Sequence, residues 1–120
     1  MTDATGATMA ALTVRWSLAG APDGVEDALA SYVADTSHAR FSAMDGLRFK
    51  TWRMRPGEWF EGCYVFVDDA ARAAFQESFT ATAAESPGSQ IIGSPPVLIE
   101  ECVVVAVAEG ASGFVAAERY

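Results

Sequence analysis

Between Leu12 and Val107 the chain reads as six segments, four with strand periodicity and two with helical periodicity, in the order βαββαβ. Few folds accept that order. Leu12, Val14, Trp16 and Leu18 alternate with Thr13, Arg15 and Ser17, the period of a strand with one buried face. Asp23 then offers an N-cap with Glu26 three residues on, and Val25, Ala28, Leu29, Tyr32, Val33 and Thr36 predict a helix to about Ser37. Gly46 opens a second alternating segment, Leu47 to Met54, and Pro56-Gly57 turns the chain into a third strand, Phe60 to Val67. Asp68-Asp69 is a cap for a second helix with Ala71, Ala74, Phe75, Ser78, Phe79 and Thr82 on one stripe, ended by Pro87-Gly88. Residues 86–96 read as a loop, and Val97 to Val107 as a long last strand.

This order packs most simply as an α+β, ferredoxin-like fold: a four-stranded antiparallel sheet, two helices on one face, and the first strand between the third and fourth. Cys63 and Cys102 would then lie roughly 10 Å apart, beyond disulfide reach. The length of 120 residues and the 51% hydrophobic content suit one domain, placed at 11–109, with a flexible leader at 1–10 and a flexible small-residue tail at 110–120.

Two helices cover one face of such a sheet. On the last strand Val103, Val105 and Val107 point one way and Cys102, Val104 and Ala106 the other, so both faces are apolar and the second needs a cover. A second copy of the chain, face to face in a homodimer, is the simplest cover and would enclose a cavity between the two sheets.

Sixteen acidic residues against eight basic ones, a formal charge of -8, repel a polyanion, so no nucleic-acid partner is expected. The beginning of the sequence shows neither a basic leader nor a long apolar run, which implies no membrane partner and a cytoplasmic protein. One His, two Cys and no oxygen-ligand spacing argue against a metal site. No phosphate loop, dinucleotide fingerprint or nucleophile elbow is present, so no cofactor is expected.

Gly46-Leu47-Arg48-Phe49-Lys50-Thr51-Trp52, then Glu61-Gly62-Cys63-Tyr64-Val65-Phe66, then Asp68-Asp69 and an Ala/Phe helix, resemble the hairpin and second helix of the YdhR-type family of proposed mono-oxygenases. That family belongs to the dimeric α+β-barrel superfamily, with the antibiotic-biosynthesis monooxygenases. Its members typically show Gly-Gly before an aliphatic residue and Tyr, where this chain has Glu61 at the first glycine. The resemblance implies a dimeric barrel and a cofactor-independent monooxygenase, because an electron-rich substrate anion can itself reduce oxygen. The superfamily also holds cyclases and isomerases, and a non-catalytic binder of a hydrophobic metabolite stays open beside them.

The alternation turns Thr13, Arg15 and Ser17 on the first strand, and Arg48, Lys50 and Trp52 on the second, away from the helices toward the expected inter-sheet cavity. Trp, Arg and Lys on one wall suit an aromatic or polyketide-like substrate, stacked on the ring while a cation stabilises its anion. Arg48 and Lys50 could equally snorkel at a sheet edge. A register one residue out would bring Thr51 and Arg53 forward instead. The resemblance adds Tyr64 as a phenol for a ligand oxygen, and it is equally a core residue. Trp59 beside the hairpin turn could close one end of the barrel. His38 is the only histidine, hence a candidate general base, though its place near the end of the first helix also suits a dipole contact. The expected catalytic set is Lys50, Arg15, Tyr64 and His38, with Trp52, Arg48, Thr13, Ser17 and Trp59 binding substrate.

Overall fold

The computed structural model of the chain describes residues 8–120. Residues 1–7, the greater part of the expected leader, lie outside them. Strand β1 (Ala10–Ser17) follows the alternation closely: Leu12, Val14 and Trp16 are buried and Thr13, Arg15 and Ser17 half-buried. It pairs antiparallel with β3 (Trp59–Phe66) on one side and β4 (Leu98–Val103) on the other, and β2 (Leu47–Arg55) completes the order β2-β3-β1-β4. The helices pack on one face, so the ferredoxin-like expectation holds. Both cysteines are free.

The first helical run is longer than its periodicity suggested. Helix α1 (Val25–Tyr32) continues through a wide π turn at Val33–Ser37 into α2 (His38–Ser42). Its cap is also different: Gly24 takes the position in a left-handed conformation (φ 80°), with no side-chain cap from Asp23. Glu26 instead accepts the Gly57 amide at 3.0 Å, tying the helix start to the β2–β3 turn. Asp68 does cap α3 (Asp69–Ala81), accepting the Ala71 amide at 2.8 Å. Part of the expected loop at 86–96 is helix α4 (Pro87–Ile92), where Ser86 is the cap, Pro87 opens the first turn, and Gly93 closes the helix at φ 89°.

The core lies between sheet and helices. Leu12, Val14 and Trp16 from β1 and Phe60, Tyr64 and Phe66 from β3 meet Val25, Leu29, Val33 and Phe41 of the first helical run and Ile92 of α4. Each fully buried apolar side chain stabilises the fold by about 1.5–3 kcal/mol. Trp16 donates its indole N–H to Ser89 Oγ at 2.9 Å, and Ser89 donates to the Ala83 carbonyl at 2.6 Å, which fixes α4 over the sheet.

Two expectations about faces are overturned. Between Leu47 and Phe49 the pairing slips by one residue, a bulge at Arg48: Leu47 faces Phe66 while Phe49 already faces Val65. Lys50 and Trp52 therefore align with Tyr64 and Gly62 on the helix side, and Phe49, Thr51 and Arg53 occupy the free face. The last strand ends at Val103, so the two-sided apolar run lies largely beyond it. Val104 is buried, whereas Val103, Val105 and Val107 are 76%, 84% and 40% exposed. Within β4 the residues on the free face are Leu98, Glu100 and Cys102, not a wall of valines. The segment beyond β4 reaches the opposite edge of the sheet, where the Phe114 ring lies 5.9 Å from that of Phe49.

Candidate functional site

The bulge at Arg48 decides where the one lysine of the chain points. With its phase reversed, β2 sends Lys50 under the helices, where the nitrogen lies over three rings: 3.5 Å from the centre of Phe41, 4.3 Å from Tyr64 and 4.4 Å from Trp52. Phe41 comes from α2 and stands edge-on to both Trp52 and Tyr64. Gly62 makes room for the arrangement. A β-carbon there would sit 3.0 Å from Lys50 Cε and 3.2 Å from the Tyr64 hydroxyl oxygen, so both groups converge over the bare backbone.

A cavity of about 280 Å³ adjoins this group, between the sheet and the helices of a single chain rather than between two sheets. Lys50, Trp52, Tyr64 and Phe41 form one end, Phe75 and Phe79 of α3 the apolar wall, and Trp16 and Gly88 part of the other end. Arg40 lines the cavity and is itself exposed, which places it at the mouth. Among the described residues no carboxylate forms an ion pair with Lys50. Burial, and after it the Arg40 guanidinium, hold its amine well below the usual lysine range. Burial likewise pushes the Tyr64 phenol up, so it stays protonated and able to donate.

Of the nine residues singled out in the sequence, Lys50, Trp52 and Tyr64 line this cavity, reached from the side opposite to the one expected. Arg48 sits exposed at the bulge. His38 does not line the cavity; its ring packs behind Trp52 at 5.9 Å, tilted by 33°. Thr13, Arg15, Ser17 and Trp59 belong to the free face of the sheet and do not line the cavity.

On that face Arg15 and Arg53 converge on Glu61. Arg15 gives Nε at 2.8 Å and Nη2 at 2.6 Å to one carboxylate oxygen, and Arg53 binds the other through Nε at 2.8 Å and through Nη2. The two guanidinium groups, with side chains 37% and 59% exposed, cover a carboxylate that has no exposure of its own. Burial pushes the Glu61 carboxyl up, but hydrogen bonds from Arg53, Cys63 and Arg15 outweigh it and leave the carboxyl below its usual range. Arg15 also stacks on Trp59, 4.2 Å from the ring centre. The satisfied charges of this cluster mark it as a structural clasp between β1, β2 and β3.

Phe41, Arg40 and Gly62 are the site residues that periodicity missed. Val33, Ser37 and Phe41 recur every fourth residue, a signal that the helix continues, but the π turn spoils the 3.6-residue period that would have carried the reading past Ser37. Among the described residues no three His, Cys, Asp or Glu side chains cluster as metal ligands, and no helix is long and apolar enough to cross a membrane.

Fold and site together define the class: a ferredoxin-like α+β domain holding an aromatic cavity, with one amine at its end, between sheet and helices. The chain is similar to the crystal structure of a protein of unknown function from Nitrosomonas europaea, at 28% identity over 87% of this chain and 96% of that one, with a TM-score of 0.60. A protein from Chloroflexus aurantiacus, provisionally described as an antibiotic biosynthesis monooxygenase, aligns over 84% of this chain and 97% of its own at 14% identity and a TM-score of 0.48. No family model and no curated protein matches the chain.

Proposed function

We propose that the chain is a small-molecule enzyme, a cofactor-independent monooxygenase whose substrate is an aromatic or polyketide-like phenol or enol held in this cavity. The observation that carries the proposal is Lys50: an amine set against Phe41, Trp52 and Tyr64, at the end of a cavity, with no ion pair to a carboxylate among the described residues. A neutral amine in that position can take the proton of an acidic hydroxyl and then stabilise the oxyanion as an ammonium. The rings stack on a planar substrate and exclude water. An electron-rich anion can pass electrons directly to oxygen. Conversion of a CH₂ group to a carbonyl balances with one O₂ consumed and one water released, so no other reductant enters. The resemblance noted in the sequence supports the same reading.

Oxygen uptake tests this, with an anthrone as the probe because its enol tautomer is a planar phenol. The purified protein should consume oxygen above the protein-free rate and Lys50→Met should not. Anthrone that binds without accelerated uptake would reduce the protein to a binder of hydrophobic metabolites.

A further inference from the structure

An amine kept neutral is a nucleophile as well as a base, and the surroundings of Lys50 favour attack on a carbonyl carbon. Lys50 is the only lysine in the chain, and among the described residues no ion pair or hydrogen bond occupies its nitrogen. Its Cε and the Tyr64 hydroxyl converge over Gly62, which puts a protonated phenol beside the amine. The adjoining walls are aromatic: Phe41, Trp52, Phe75 and Phe79.

We propose that Lys50 captures aromatic aldehydes or ketones in this cavity as an imine, with Tyr64 as the acid that releases water. The nitrogen lone pair adds to the carbonyl carbon while the C=O π pair moves to oxygen, and a proton passes from nitrogen to that oxygen to give a carbinolamine. Tyr64 then protonates the hydroxyl, the C–O bond breaks, water leaves, and the nitrogen pair forms the C=N bond. The proton on the iminium nitrogen returns to the Tyr64 oxygen. One carbonyl compound and one amine become one imine and one water, with no change of oxidation state. The lowered pKa that burial and Arg40 impose on the amine raises the share of the nucleophilic, neutral form over that of an ordinary lysine. The inference rests on reading the cavity as the ligand site and is independent of oxygen chemistry.

The test is reductive trapping with 2-naphthaldehyde and cyanoborohydride at neutral pH, read by intact mass and peptide mapping. In the folded protein Lys50 should gain one naphthylmethyl group at least about tenfold faster than in the same protein unfolded by guanidinium, because the depressed pKa leaves more of the amine neutral. Lys50→Arg should remove that adduct, and Tyr64→Phe should slow its formation while leaving the unfolded-state rate unchanged. Should Lys50→Arg fail to fold, the comparison of folded with unfolded parent protein still decides. Equal rates in the two states, or an adduct confined to the amino terminus, overturns the proposal. Oxygen uptake is not read in this experiment, so a failure of oxygenation and a failure of imine formation are separate results.

Discussion

The side-chain nitrogen of Lys50 lies 3.5 Å from the centre of the Phe41 ring. The two residues come from elements that meet only in the folded chain, a sheet edge and the last turn of a helical run. Their contact sets the half-buried amine against the aromatic end of the cavity, and most of what is expected of the site follows from it.

The first expectation concerns stability and pH. In the unfolded chain Lys50 titrates near 10.4, while in the folded chain its pKa is depressed. Between the two values the unfolded state binds the extra proton, so stability rises with pH across that window and is least below it, where the folded protein must hold a buried ammonium. Lys50→Met should abolish this alkaline rise and raise the melting temperature at neutral pH. Thermal melts of both proteins across that window check it; a rise of the same size in the variant would show that another group is responsible.

Trp52→Ala removes one wall of the cavity, and binding of a planar aromatic ligand should weaken by about 1–3 kcal/mol. Trp52 is only half-buried, so the variant should fold. Calorimetric titration with a naphthol, alongside a melting curve, separates loss of the ring from loss of the fold. Unchanged affinity would place the ligand elsewhere.

Gly62→Ala puts a methyl group 3.0 Å from Lys50 Cε and 3.1 Å from the Tyr64 ring, so tight that a neighbour must give way. The lysine, being the flexible partner, should leave the rings. Ligand affinity should fall roughly tenfold, about 1.4 kcal/mol, and the alkaline stability rise should shrink as the amine regains water. A variant that keeps both would show that the room over Gly62 plays no part in placing Lys50.

Glu61→Gln replaces the acceptor shared by Arg15 and Arg53. The loss should be about 1–3 kcal/mol, toward the lower end because solvent screens both exposed guanidinium groups. The carboxyl has a lowered folded pKa, so its contribution is present above the unfolded value and lost as pH falls through the folded one. Denaturant titrations at neutral and acid pH should show the parent protein losing this increment in acid and the variant having none to lose.

Val105, Phe114 and Val115, in the segment beyond β4, are each at least 66% exposed in the single chain, apolar groups that a second copy would bury. Light scattering at micromolar concentration should give twice the chain mass of 12.7 kDa. A stable particle of single-chain mass removes the basis for dimerisation.

The fold was legible because β1 obeys strict alternation, Pro56-Gly57 marks the turn between β2 and β3, and Asp68 marks the start of α3 with a conventional cap. The site was legible by residue and not by side. Lys50, Trp52 and Tyr64 were identifiable as chemistry-bearing groups, but the face they share depends on one unpaired residue, and Arg48 carries no glycine or proline to announce a bulge. Phe41 and Arg40 were hidden by the π turn, and α4 by a Pro-Gly pair that reads as a stop although Ser86-Pro87 opens a helix. The free face was misjudged because the valine run was assigned to the strand, while the sheet ends where that run begins.

The surplus residue at Arg48 also bears on how β2 tolerates changes of length. Deleting Arg48 would join Leu47 directly to Phe49, and plain alternation would then leave Leu47 and Lys50 inward with Phe49 outward, as they are now. The same deletion made at Thr51 would set Lys50 and Trp52 on opposite faces and dismantle the ring of aromatic groups around the amine. Along this strand a change of one residue in length is neutral at one position and decisive three residues later.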